Sequence, residues 1–140
     1  MRKAIEKPYA GGQWTTARMR SFVMSALRRA QWPVKFQSMK SAFVKAGVNP
    51  ATGRMCKLHL CEQCNNLFPQ KDMAVDHIEP VVPLKGFENT DGFLGYDWDQ
   101  VIRRLYCESH KLQVLCKPCH KEKSLDERAE RAAFKKSKKS

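Results

Sequence analysis

Apolar positions begin to repeat at Thr15. From there Met19, Phe22, Val23, Ala26, Leu27 and Ala30 recur at spacings of three and four, while Arg18, Ser21, Ser25, Arg28 and Arg29 fall on other faces, which is the period of an amphipathic helix. Pro33 interrupts the run. A second helix is predicted in VKFQSMKSAFVKAG, where Phe36, Met39, Phe43 and Ala46 form one stripe, Lys35, Lys40 and Lys45 lie off it, and Gly47 suits the stop. The pair makes a hairpin with one apolar face to pack on the rest of the chain and one basic face to grip a nucleic-acid duplex. The stretch before it, MRKAIEKPYAGG, carries Pro8 and the Gly11-Gly12 pair and reads as a loose arm.

After the turn-rich NPATGRM the pattern changes. CKLHLCEQCNNLF predicts a short strand running into a Cys-x-x-Cys turn, and MAVDHIEPVV predicts another strand. GFENTDGFLG is a loop, and YDWDQVIRRLY is a short helix with Trp98, Val101, Ile102 and Leu105 inward. KLQVLCKPCHKEK is a strand that turns through a second Cys-x-x-Cys into a helix. Ser124 and Glu127 have the spacing of a capping box and predict the start of a last helix, LDERAERAAF, ahead of a lysine-rich end expected to be disordered without a partner. Three segments result: a basic helical region over 1–55, an α+β unit over 56–124, and a C-terminal helix with a basic tail over 125–140.

Charge sharpens this division. The 140 residues carry a net +12. Residues 1–55 hold eleven Lys/Arg against the single acid Glu6, residues 56–100 hold three Lys against eight acids, and residues 101–140 hold twelve Lys/Arg against five acids. Two basic flanks around an acidic middle suit a protein that grips a polyanion from both sides and holds divalent cations at its centre. Arg18, Arg28, Arg29, Lys35, Lys40, Lys111 and Lys123 are the expected DNA contacts. No run of apolar residues reaches membrane-span length and no secretion signal is evident, so a soluble cytoplasmic protein with no membrane partner is expected.

Four of the six cysteines form two Cys-x-x-Cys pairs, Cys61/Cys64 and Cys116/Cys119. Each turn presents two thiolates, and Zn²⁺ takes four soft ligands in a tetrahedron, so a structural zinc site is expected. Disulfides do not suit a chain with no export signal, and a thioredoxin-like redox site needs only one such turn. Cys56, Cys107, His59 and His110 are read as ordinary residues, the two histidines at the surface.

If zinc joins the two turns, Asp76 and His77 belong to the same unit as His120, which follows the last cysteine. One oxygen of Asp76 and one nitrogen of His120 suit a hard divalent cation with positions open for phosphate and water. His77, neutral at pH 7, suits a general base that takes a proton from an attacking water. The pieces match metal-assisted phosphodiester hydrolysis.

The order Cys-x-x-Cys, Asp-His-Ile-x-Pro, then Leu-Gln-x-Leu-Cys-x-x-Cys-His-x-x-Lys, over about 56–124, resembles the zinc-bearing HNH endonucleases, especially the small bacteriophage-type ones. The resemblance implies a ββα-metal, treble-clef-like core preceded here by the basic hairpin. It implies His77 as general base, Asp76 and His120 on one catalytic ion (Mg²⁺, or a transition metal such as Mn²⁺ or Ni²⁺), and 5′-phosphate and 3′-hydroxyl ends. It also implies double-stranded DNA as partner and a host-cell cytoplasmic location if the chain is phage-encoded. One position departs from the pattern: Lys111 stands where the family commonly has an Asn that orients the catalytic histidine. Two other functions fit the same residues: a zinc-stabilised nucleic-acid-binding protein with a weak or silent nuclease centre, and a module of a larger phage DNA-processing or packaging complex.

Overall fold

In the computed structural model, which describes residues 3–139, the first helix forms where its periodicity begins; Met1, Arg2 and Ser140, the outermost residues of the expected arm and tail, lie outside the described residues. Helix α1 spans Thr16–Ala30, and Thr15 caps it by accepting the Arg18 N–H at 3.2 Å. Its buried line differs from the expected stripe. Met24 is buried, whereas Phe22, Ala26 and Ala30 face solvent. The reason is Arg20, whose guanidinium donates twice to the Leu94 carbonyl at 3.0 and 2.7 Å and stacks 4.7 Å from the Tyr96 ring centre. Satisfying that charge rotates the helix away from the purely apolar solution.

Helix α2 spans Trp32–Ser41. Pro33 sits in its first turn, where an amide hydrogen has no helical partner to lose. The expected continuation to Gly47 does not occur, because Phe43–Val48 forms strand β1 and pairs antiparallel with β2, Met55–Leu60. Aromatic and β-branched residues at 43, 44 and 48 suit a strand, and the cross-strand register from Phe43↔His59 to Val48↔Met55 outweighs the local helical period. Gly47 is therefore no helix stop. A Cβ there would stand 2.5 Å from Leu58 Cδ1, so glycine lets the two strands approach. The hairpin also straddles the 55/56 segment boundary drawn from composition.

Strand β3, Leu67–Pro69, completes a sheet of order β1-β2-β3. A second antiparallel sheet pairs β4, Met73–His77, with β5, Leu112–Cys116, in a register that sets Asp76 opposite Gln113 and His77 opposite Leu112. Helix α3, Trp98–Leu105, is capped by Asp97 and buries Val101 and Leu105 completely, while Ile102, expected inward, is exposed. The last helix, α4, runs unbroken over Lys117–Lys138. Ser124 is thus an exposed mid-helix residue and not a cap, and most of the lysine-rich end is helical. Lys135, Lys136 and Lys138 lie at the negative end of the helix dipole, and Lys123 pairs with Glu127 one turn on at 2.8 Å, so both ends of the expected break favour continuation.

The result is a mixed α+β fold with small antiparallel sheets and two apolar clusters. One gathers Met39, Met73, Val114 and Leu115 around the cysteines; the other packs Met24, Val81, Val101 and Leu105 beneath α1 and α3. No helix among the described residues is long and apolar enough to cross a membrane. Leu115 is 1% exposed at the centre of the first cluster. Leu115→Ala is expected to lower the unfolding free energy by about 3 kcal/mol, read from the midpoint of urea denaturation.

Candidate functional site

Two local geometries converge to gather the thiols. Cys61 follows β2 directly and opens a tight turn where the Asn65 N–H bonds back to the Cys61 carbonyl at 2.9 Å and the Cys61 N–H donates to the Asn66 carbonyl at 3.0 Å. Cys116 ends β5 and is the N-cap of α4, so Cys119 falls in the first turn of that helix. The Glu62 N–H bonds to the Val114 carbonyl at 3.0 Å and ties the first turn to the strand that leads into the second. The sulfurs of Cys61, Cys64, Cys116 and Cys119 all lie within 4.8 Å of one another, and Cys64 and Cys116 are 3.9 Å apart. Tetrahedral zinc–thiolate bonds of about 2.3 Å place sulfurs about 3.8 Å apart, so the cluster fits a metal such as zinc.

Ionisation within the cluster is uneven. Burial opposes charge on Cys61, yet hydrogen bonds from the backbones of Cys64, Cys116 and Gln63 bring its thiol down to about 6. Contact with the Cys116 thiol, and then burial, push Cys119 up, and burial pushes Cys116 up. Negative charge is therefore favoured on Cys61 and opposed on Cys116 and Cys119.

The second gathering lies across β4, β5 and α4. Asp76 and Gln113 are cross-strand partners, and Gln113 donates to Asp76 Oδ2 at 3.2 Å. Lys123 Nζ also binds Asp76 Oδ2 and donates to the His77 carbonyl at 2.8 Å. Burial works against charge on Lys123, but its bonds to Asp76 and Glu127 outweigh that and raise its pKa. The other carboxylate oxygen, Oδ1, faces His120 Nε2 at 3.6 Å. Asp76, His77 and His120 line one cavity of about 440 Å³, together with Arg28, Glu127 and Arg131. His120, Glu127 and Arg131 come from one side of α4, at helical spacing.

His77 is buried at the end of β4. Its Nε2 lies 2.8 Å from the Gln31 side-chain nitrogen and 3.0 Å from the Leu105 carbonyl. Burial pushes its pKa down; the Leu105 carbonyl and Asp76 push up, while Lys35 and Arg28 add to the downward shift. The ring is neutral at pH 7. Lys35 is itself lowered by burial and by Arg28, against Asp76. The hairpin α1–α2 thus brings two basic side chains to the carboxylate.

The remaining expected DNA contacts are scattered. Arg18 stacks 4.7 Å from the Trp14 ring centre and shares a shallow hollow on α1 with Phe22 and Arg29. Lys40 is exposed in the last turn of α2. Lys123 is held by the two carboxylates at the site. Lys111 lines a different cavity, with Glu79, Arg103 and Arg104, although its carbonyl accepts the Ile78 N–H at 3.0 Å. His59, expected at the surface, is buried because β2 lies at the centre of its sheet.

Gln31, Gln113 and Arg131 reach the site with no motif to mark them, and Glu127, expected in a helix cap, joins them. Glu127 was assigned to a cap that the continuous helix removes. Gln113 is identified only once the β4–β5 register is known, and Gln31 lies in a helix corner that carries no motif. Comparison with family models, with curated proteins and with solved structures returned no match.

Reduced protein is expected to take up one zinc per chain, and cobalt in its place is expected to show the thiolate charge-transfer absorption of a tetrahedral sulfur site. Cys61→Ser is expected to weaken that uptake and lower the melting temperature, as chelation of the metal does in the wild type.

Proposed function

We propose that the chain is a metal-dependent HNH-type DNA endonuclease or nickase with a structural zinc on Cys61, Cys64, Cys116 and Cys119. The observation that carries the reading is the convergence of Asp76, His77 and His120 on one cavity bordered by Arg28 and Arg131. An acid and a histidine within 3.6 Å of each other suit one divalent cation, which supplies Lewis-acid stabilisation of charge on a phosphate. Hydrogen bonds from Gln113 and Lys123 orient Asp76 by its other oxygen.

Among the described residues, the hydrogen bonds of the His77 ring run through Nε2, which leaves Nδ1 for water. Nδ1 takes a proton as the water oxygen bonds to phosphorus. The 3′ oxygen leaves with the electrons of its bond and takes a proton from solvent, giving 5′-phosphate and 3′-hydroxyl ends. Arg28 and Arg131 border the cavity where a phosphodiester would lie, and Arg18, Arg29 and Lys40, apart from it on α1 and α2, are further candidates for contact with a duplex backbone.

Supercoiled plasmid with Mg²⁺, Mn²⁺ or Ni²⁺ tests the reading. Wild type is expected to nick or linearise it, and His77→Ala is expected to lose on the order of 10²-fold or more in rate while still binding DNA. Binding without cleavage by the wild type in all three metals would sink the enzyme and leave a zinc-stabilised DNA-binding protein. Arg28→Ala is expected to weaken DNA binding on any sequence and to reduce the slope of log affinity against log salt by about one.

A further inference from the structure

The two apolar clusters meet at a polar junction. His77 ends a strand of the cysteine cluster, Leu105 ends α3 in the other cluster, and Gln31 occupies the corner between α1 and α2. Gln31 has no exposed surface, which is unusual for an amide side chain. Its nitrogen donates to the Leu105 carbonyl and approaches His77 Nε2 at 2.8 Å, while its Oε1 is buried with no partner among the described residues. A buried acceptor without a donor is a cost that an apolar side chain of the same size would avoid. What the residue gains lies on its nitrogen side.

We propose that Gln31 is the positioning residue of His77: with the Leu105 carbonyl it grips the Nε2 edge of the imidazole and so leaves Nδ1 to the cavity. The carbonyl of Leu105 belongs to the last turn of α3, where carbonyls have no helical partner, and it has lone pairs for both Gln31 and His77. With the ring proton on Nε2, as a base acting through Nδ1 requires, the Leu105 carbonyl accepts Nε2–H, and the Gln31 amide, donating to the same carbonyl, fixes that acceptor against the ring. Lys111 cannot serve this purpose, since its side chain lines another cavity. The device comes from outside the motif-bearing stretch, which makes the α1–α2 corner part of the site.

The consequence for cleavage rests on the nuclease reading, whereas the contact itself does not, and the test separates them. In full-length, zinc-loaded protein, an NMR cross-peak between the Gln31 side-chain amide protons and the His77 ring is expected. Gln31→Met keeps the volume and removes the amide; it is expected to move the His77 ring nitrogen signals at a pH where the ring is neutral, which the exposed control Gln37→Met leaves in place. Single-turnover cleavage by Gln31→Met is expected to fall about 10²-fold with DNA affinity unchanged. Absence of the cross-peak in wild type, or unmoved ring signals in Gln31→Met, overturns the proposal, as does an unchanged cleavage rate. If wild type fails to cleave in Mg²⁺, Mn²⁺ and Ni²⁺ alike, the nuclease reading fails, and the cross-peak and ring signals still decide whether Gln31 holds His77.

Discussion

Four sulfurs drawn within 4.8 Å of one another join chain segments separated by fifty-one residues, and the rest of the molecule is arranged about that junction. Two of them leave a turn at the end of β2; the other two bracket the passage from β5 into α4. Because Cys116 caps α4, the direction of that helix is set at the same point. Four uncoordinated thiols would make a poor core, with one inclined to ionise and two resisting it, so a cation held there would link folding to metal binding. Met39, Met73, Val114 and Leu115 pack round Cys61, Cys116 and Cys119, while Cys64 stays at the surface.

The direction of α4 then decides the electrostatics of the candidate site. His120, Lys123 and Glu127 project from successive turns toward the end of β4, where Asp76 receives two of them. One carboxylate oxygen is committed to Gln113 and Lys123, and the other is left facing His120. A carboxylate held by one oxygen and open at the other is a directional ligand, which is what second partners around a metal site provide. The α1–α2 corner closes the opposite side with Arg28, Lys35 and Gln31, so the acidic centre and a basic flank of the sequence are neighbours in space.

Helix and strand positions with strong local patterns were legible from residue order. The start of α1 near Thr15, the two Cys-x-x-Cys turns, the strand carrying Asp76 and His77, and the buried Val101 and Leu105 of α3 all follow from local pattern and spacing. Failures cluster where a distant partner overrode the local preference. Residues 43–47 have a helical stripe but pair with β2. Ser124 and Glu127 have cap spacing, but Glu127 pairs with Lys123 and the helix continues through them. Phe22 fits the apolar face of α1, yet it faces solvent while Arg20 on the same helix donates to the Leu94 carbonyl.

By itself the sequence determined the chemistry present: four soft ligands in two turns, an acid and two histidines of metal-and-proton type, and basic flanks, because residue identity and short spacing suffice for these. Tertiary structure alone decided which of them meet. Asp76 opposite Gln113 depends on a strand register. Lys123 on Asp76 depends on the path of α4. Gln31 against His77, forty-six residues apart, depends on how two apolar clusters close over a polar junction. Such contacts carry no local signal, since the side chain that completes them is chosen by the space left after everything else has packed.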